Sequence, residues 1–181
     1  YDVCAGFDAR DPYSLPAQPE WEAGLGATDL TGLRVAISPD LGSAVLADAV
    51  RSRVHEAGNA LVEATGMQLV AVDVSMPSIT WEWAIANQVG LVREVGDLWP
   101  GCEEQMTKSM AFGVRMGLER FNIEVAGRVE AARTEANRRM ADLFDKVDVV
   151  ICASNPDVAF PAEIESNTRV AGEKAPPGNN G

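Results

Sequence analysis

The sequence predicts an α/β fold in three layers: a small, mostly parallel sheet with helices packed on it. Short runs rich in β-branched residues alternate with long segments in which apolar residues recur every three or four positions. Between residues 33 and 74 the order strand, helix, strand is typical of a βαβ unit, whose strands run parallel and whose crossover is right-handed. A chain of 181 residues is long enough for one such unit with a core of its own.

Glycine and proline residues between the predicted elements divide this single domain into five segments. We expect a connector loop over 1–32, the βαβ unit over 33–74, a helical region over 77–120, a long helix and strand over 121–152, and an irregular tail over 153–181. No internal repeat is present, and no boundary is sharp enough to separate two domains.

Composition and charge exclude several function classes. The 15 basic and 27 acidic residues give a net charge of -12, which repels a phosphate backbone and disfavours nucleic-acid binding. No apolar run approaches the roughly 20 residues of a membrane span. Cys4, Cys102 and Cys152 are widely spaced and odd in number, which favours buried reduced thiols and a cytoplasmic protein.

Two of the carboxylates in the connector loop, those of Asp8 and Asp11, are most simply explained by a structural role. Gly6 suits the end of a helix, Asp8 and Asp11 suit Asx turns, and Pro12 keeps Asp11 extended. Metal binding or acid–base chemistry is the alternative for the two carboxylates. Because Arg10 lies between them in a proline-bounded loop, we favour a rigid connector.

The βαβ unit is delimited by glycine and proline. A strand is predicted over 33–38, ended by Pro39, and a helix over 44–64, ended by Gly66. The run over 67–74 is almost continuously apolar at its centre, which predicts a strand buried on both faces of the sheet.

Two helices are predicted in the helical region, over 78–95 and 103–118. The second carries Met106, Met110 and Val114 at a spacing of four, which places them on one face.

The last long helix has the clearest pattern in the chain. Its apolar stripe extends from Val125 to Leu143, and the helix is predicted to end near Phe144. The pairs Glu124–Arg128 and Glu135–Arg139 have the spacing of favourable helix ion pairs. A third buried strand follows over 147–152, and the remainder is rich in Pro, Asn and Gly.

Several segments resemble the amidase signature family, in the family's order. Residues 6–14 read GFDARDPYS and resemble its G-x-D-x-R-D-P-x-S segment, and residues 29–37 read DLTGLRVAI and resemble its next strand, D-L-x-G-L-R-[IV]-[GA]-[VI]. Residues 146–156 stand where the family has a strand of the type Y-D-V-L-L-T-P-T, although Ala153-Ser154-Asn155 replaces its T-P-T. The closing GNNG of residues 178–181 resembles the approach to the family's final segment.

The resemblance implies an amide hydrolase without a cofactor. The family converts carboxamides to a carboxylic acid and ammonia or amine with a Ser nucleophile, a second Ser and a Lys base, on a G-G-S-S-G-G-S loop. This chain has neither a Gly-Gly nor a Ser-Ser pair, and Lys108 and Ser109 are helix neighbours that point about 100° apart. We therefore expect an interior section lying after the catalytic core, with no catalytic residue of its own and no activity alone.

Two alternatives come from other classes. The parent protein could be the A subunit of a tRNA-dependent amidotransferase, or the chain could be a non-catalytic α/β module that binds a partner. For the amidase the expected partner is a small-molecule amide, without nucleic acid or membrane, and a homo-oligomer is compatible with the sequence. We also expect exposed apolar surface and self-association if the chain is isolated.

Few side chains are candidates for binding or chemistry. His55 is expected on the helix surface, the acids Glu103 and Glu104 are explained by a helix start, and no clustered ligands predict a metal site. An aromatic and sulfur-rich group favours core packing over a ligand pocket: Trp81, Trp83, Met106, Met110, Phe112 and Met116. By resemblance this region walls the family's substrate funnel, which makes Trp83 and Met106 the expected substrate-binding residues.

Overall fold

A computed structural model describes residues 5–11, 14, 16, 21–164 and 168–174. The strands are β1 Arg34–Ile37, β2 Gln68–Leu69, β3 Val149–Ile151, β4 Arg169–Val170 and β5 Glu173–Lys174. The α-helices are α1 Asp48–Thr65, α2 Thr80–Val95, α3 Lys108–Arg120 and α4 Ile123–Phe144, with short 3₁₀ turns at Gly96–Leu98 and Glu103–Gln105.

A parallel sheet in the order β2-β1-β3 forms the centre of the fold and confirms the predicted fold class. Val35 is opposite Leu69 on one side and opposite Val149 on the other. Val35 is fully buried and Ala36 nearly so, because β1 is the middle strand. The chain order β1, α1, β2 with parallel pairing confirms the βαβ unit, while its right-handed crossover stays a prediction.

The second strand differs from its prediction. Only Gln68 and Leu69 pair with β1, and the Leu69 side chain is 55% exposed, so the prediction of a strand over 67–74 buried on both faces is wrong. In the described sheet β2 is an edge strand with one neighbour, and the chain beyond it alternates instead. Half-buried valines pack against the core at positions 70, 72 and 74, with exposed residues between them.

The first helix begins four residues later than predicted and ends where predicted. A turn occupies residues 40–44, in which the Asp40 carbonyl accepts a hydrogen bond from the N–H of Ala44 at 2.9 Å. The chain therefore enters α1 only at Asp48. Gly66 ends α1 in the left-handed region at φ 69°, where a side chain would be strained.

The predicted helix over 103–118 is wrong at its start. Residues Glu103–Gln105 form a separate 3₁₀ turn, Met106 is extended, and α3 begins at Lys108. Thr107 caps α3, because its hydroxyl oxygen accepts a hydrogen bond from the N–H of Met110 at 3.3 Å. Met106 thus lies outside the helical face that it was predicted to share.

Helices α2 and α3 approach closely along a strip of small residues. A Cβ added at Gly117 would lie 2.8 Å from Cβ of Gln88 on α2. Ala111, Gly113 and Val114 are buried on the same face of α3. The absence of side chains at the two glycines allows the helix backbones to come this near.

The long helix α4 confirms its prediction except for one ion pair. Val129 and Leu143 are its buried residues, and Glu135 pairs with Arg139 at 2.8 Å as predicted. The predicted Glu124–Arg128 pair is wrong because Arg128 contacts Glu82 on α2, at 3.1 Å. The Glu82 side chain is only 18% exposed, so fewer waters compete for its carboxylate.

The core and the tail complete the fold. Ala36 of β1, Leu143 of α4 and Val147 before β3 form a buried cluster. The tail is not wholly irregular, because β4 and β5 pair antiparallel and bury Val170. This pairing corrects the prediction of an irregular tail within residues 168–174.

The cysteines depart from the prediction of buried thiols. Cys152 is exposed, Cys102 is half-buried, and both are free. Cys4 lies outside the described residues, as do residue 3 of the predicted helix end at residues 3–6 and the GNNG at 178–181.

Candidate functional site

The carboxylate of Asp8 in the connector holds a turn, as predicted. It accepts a hydrogen bond from the N–H of Arg10 at 2.9 Å and forms an ion pair with the Arg10 guanidinium at 2.6 Å. The hydrogen bond from the Arg10 side chain has the larger effect, and together with the one from the Arg10 N–H it lowers the pKa of Asp8. The Ser14 hydroxyl lies 3.0 Å from the carbonyl oxygen of Asp8 and 2.9 Å from that of Asp11. The spacing of the motif therefore serves a local turn. Pro12, which was predicted to keep Asp11 extended, lies outside the described residues.

A hollow of about 370 Å³ lies beside the loop that follows the carboxyl end of β1 and beside the segment from Met76 into α2. Carboxyl ends of parallel strands meet at one edge of a sheet, and ligands of open α/β sheets bind beyond that edge. We name this cavity the carboxyl-edge hollow. Its lining residues are Asp40, Leu41, Ser43, Ala44, Val45, Met76, Pro77, Ser78, Ile79, Thr80, Trp83 and Ala136.

The floor of the carboxyl-edge hollow is held by backbone geometry. Leu41 and Gly42 both have positive φ, at 49° and 76°. The Leu41 carbonyl accepts a hydrogen bond from the N–H of Met76 at 2.9 Å, which fastens the loop after β1 to the segment after β2. A Cβ at Gly42 would overlap the carbonyl oxygen of Val74 and lie 3.1 Å from Cα of Ser75. Only glycine fits this position without a shift of backbone.

One carboxylate lines the carboxyl-edge hollow, and it is neutralised. Asp40 forms an ion pair with Arg51 of α1 at 2.6 Å and accepts a hydrogen bond from the N–H of Gly42 at 2.9 Å. The hydrogen bond from Arg51, followed by that from Gly42, lowers the pKa of Asp40. A lowered pKa opposes a role as a general base, since general bases work best with a pKa near neutrality.

A second cavity of about 460 Å³ lies between α2 and α4. We name it the interhelical groove. Its lining residues are Ile79, Glu82, Trp83, Ala86, Asn87, Val129, Ala132, Arg133, Ala136 and Asn137. Above it, the Arg128 guanidinium pairs with Glu82 and lies 4.5 Å from the centre of the Trp81 ring, so a cation–π contact joins α2 to α4.

Trp83 is the predicted site residue that the structure places at a cavity. It lines both the carboxyl-edge hollow and the interhelical groove, and its side chain is 53% exposed. The expectation that the aromatic and sulfur-rich group packs in the core is wrong for four members that are 43% to 60% exposed: Trp81, Trp83, Met110 and Phe112. The buried face of α3 is taken by small residues such as Gly113, so Phe112 on another face stays outside.

Met106, the other predicted site residue, does not lie beside Trp83 at these two cavities. It is half-buried, with its Sδ 3.9 Å from Sγ of Cys102, and it does not line the carboxyl-edge hollow or the interhelical groove. Its predicted role in substrate binding stays a prediction.

The other candidate side chains occupy ordinary surface positions. His55 is exposed on α1, as predicted. Ser109 is exposed in the first turn of α3, with its hydroxyl 3.3 Å from that of Thr107. Glu103 pairs with Arg115 at 3.1 Å, so its position is explained without chemistry.

The described residues contain no group of three or more His, Cys, Asp or Glu side chains that could hold a metal ion. None of the helices in this part of the chain combines the length and apolar character needed to cross a bilayer.

Sequence reasoning did not identify the remaining lining residues. Ala136 belongs to the predicted stripe of α4, but the pattern marks it only as inward-facing. Ile79 precedes α2 in a segment with little periodicity, and Asn87 and Asn137 are single polar residues on helices. Their proximity depends on how α2 and α4 pack, for which a single helix pattern has no signal.

Comparison with known proteins yields a structural match. No family model matches the sequence, and no curated protein matches it. The structure is similar to the crystal structure of a bacterial aryl acylamidase belonging to the amidase signature enzymes, with a TM-score of 0.75 and 18% sequence identity. The match covers 95% of this chain and 38% of the other, so this chain spans little more than a third of that protein's length. At this identity the match is evidence of a shared fold.

Proposed function

We propose that this chain is part of an amidase. The premise is that it has the fold of a section of an amidase signature enzyme. The reaction is hydrolysis of a carboxamide to a carboxylic acid and ammonia or amine, with water as co-substrate and no cofactor. The observation that carries the proposal is the fold match over 95% of the chain. The sequence motifs at 6–14 and 29–37 point independently to the same family.

The contribution of this chain is substrate binding. Amide hydrolysis by a serine enzyme needs a base within hydrogen-bond reach of the nucleophile and donors for the oxyanion. The chain has no Gly-Gly or Ser-Ser pair from which to build the family's catalytic loop. The 181-residue chain alone is therefore inactive, and the catalytic groups belong to another part of the gene product.

Trp83 and Met106 are the proposed substrate-binding residues. The role of Trp83 is supported by its position in the lining of two cavities, because aromatic side chains are typical linings of small-molecule sites. Met106 rests on the resemblance alone. Replacement of each by Ala in the complete protein should change kcat/KM unequally across amides, and equal kcat/KM values throughout would refute the assignment.

The activity itself is tested with the complete gene product and with the 181-residue chain in parallel. Release of ammonia or aniline from acetamide, benzamide and acetanilide is measured for both. Hydrolysis is expected only from the complete protein. Absence of hydrolysis by the complete protein on a broad amide panel would refute the amidase, and hydrolysis by the short chain would refute its inactivity.

A further inference from the structure

The two cavities meet at three shared residues. Ile79, Trp83 and Ala136 line both the carboxyl-edge hollow and the interhelical groove. Trp83 belongs to α2 and Ala136 to α4, so the junction lies between these helices. The cavities are therefore adjacent along these three side chains.

The charged side chains around this junction are compensated within the described residues. Asp40 of the carboxyl-edge hollow pairs with Arg51 at 2.6 Å. Glu82 of the interhelical groove pairs with Arg128 at 3.1 Å. Arg133, the other charged lining residue of the groove, lies 3.5 Å from Glu130.

A ligand at this position is therefore expected to be neutral. An ionised ligand would lose hydration without gaining an unpaired partner. Most of the remaining lining is apolar, and Asn87 and Asn137 offer amide groups that can both donate and accept hydrogen bonds. An amide group with an attached apolar ring has matching chemistry.

We infer that the carboxyl-edge hollow and the interhelical groove are two halves of one elongated site, and that Ala136 determines which ligands fit. The ligand class is a neutral amide carrying an apolar group of ring size. The assignment of this ligand as substrate rests on the proposed function, whereas its binding does not. Ala136 lines both cavities with only a methyl group, so a larger residue there would enter both.

Binding to the 181-residue chain tests the inference directly. Acetanilide is titrated against wild type, Ala136→Phe and Ala131→Phe, with tryptophan fluorescence as the signal and Trp83→Phe to identify its source. Ala131 is exposed on the same helix and lines neither cavity, so its variant controls for an added ring on α4. Circular dichroism confirms that each variant folds.

Ala136→Phe is expected to weaken acetanilide binding by at least about tenfold, the lower end of what one methylene is worth in an apolar pocket. Ala131→Phe should bind as wild type does, and Trp83→Phe should lose most of the signal. Absence of saturable binding to wild type would overturn the inference. Equal affinities of wild type and Ala136→Phe, or equal weakening by Ala131→Phe, would overturn it as well.

Kinetics of the complete gene product separate this inference from the proposed function. Ala136→Phe should lower the ratio of kcat/KM for acetanilide to kcat/KM for acetamide by about tenfold or more, because the larger amide extends through the junction and the smaller one does not. Equal losses for both amides would overturn the role of Ala136 in selection. Absence of turnover by wild type would refute the amidase, while the binding titration would still decide whether the elongated site exists.

Discussion

Gly42 provides a sharp test of how the carboxyl-edge hollow is built. Replacement of Gly42 by Ala adds one methyl group to a residue at φ 76°. An L-residue with a side chain pays roughly 1–2 kcal/mol in the left-handed region. The added Cβ also overlaps the carbonyl oxygen of Val74, and overpacking of this kind costs typically about 1–3 kcal/mol.

The two terms add to a loss of about 2–5 kcal/mol in the free energy of unfolding. The second term is hard to relieve because the obstructing atom belongs to the backbone. Val74 is held in place by its neighbours, since the N–H of Met76 donates to the carbonyl of Leu41. Relief would require this hydrogen bond to lengthen or break.

Gly32→Ala is the matched control. Gly32 has a similar φ of 80°, but the nearest atom to an added Cβ is Nε2 of the flexible Gln68 side chain, at 4.0 Å. Its expected loss is the conformational term alone, about 1–2 kcal/mol.

Urea unfolding followed by circular dichroism measures the free energy of unfolding of both variants and of wild type. Gly42→Ala should be less stable than Gly32→Ala by about 1–3 kcal/mol, the steric term. If the two losses agree within about 0.5 kcal/mol, the steric term at residue 42 is absent. The close contact between the loop after β1 and the segment after β2 would then be refuted.

Three further outcomes are expected. Gly117→Ala should destabilise the protein by about 1–3 kcal/mol in the same urea assay, because the added Cβ meets α2. Gly127→Ala, in open space on α4, should instead stabilise it by about 0.5–1 kcal/mol. Equal effects of the two substitutions would contradict the close approach of α2 and α3. Hydrogen bonds from Arg34 lower the pKa of Asp148 to about 2, so the contribution of this carboxylate is present above its usual pKa of 3.8 and lost as the pH falls toward 2. Asp148→Asn should therefore lose less stability than wild type between about pH 6 and about pH 2.5, and identical pH profiles would refute this linkage. The isolated chain should self-associate in light scattering, and Phe112→Lys, at a side chain 60% exposed, should reduce this; a monomeric wild type would refute the expectation.

The helices and their ends were largely predictable from the sequence because they depend on neighbours in the chain. The stripe of α4 and the stop at Gly66 require only residues within two or three turns of helix. The turn at Asp8 follows from a short motif. The parallel pairing of β1 with β2 is not local, but the order strand, helix, strand predicts it. Thr107 is a residue type that favours the position before a helix, so the sequence also contained a signal for the start of α3. The helical spacing of Met106 and Met110 favoured an earlier start instead.

The candidate site could be predicted only in part. Trp83 was identified through a family resemblance, and the structure places it in the lining of two cavities. Met106 was identified in the same way but lies at neither cavity. Ala136 and Ile79 complete the junction, and a small apolar residue on a helix stripe does not show which neighbour it faces.

The sequence by itself determined the order of the main strands and helices, the inward stripe of α4 and the positions where the helices stop. Only the tertiary structure decided that β2 is an edge strand of the described sheet, that Arg128 of one helix pairs with Glu82 of another, and that Trp83 lines two cavities. The physical reason is the range of the interactions. Periodicity and capping report hydrogen bonds and contacts within a few residues, whereas a cavity is the space left between elements far apart in the chain, and its shape depends on how closely their side chains let them pack.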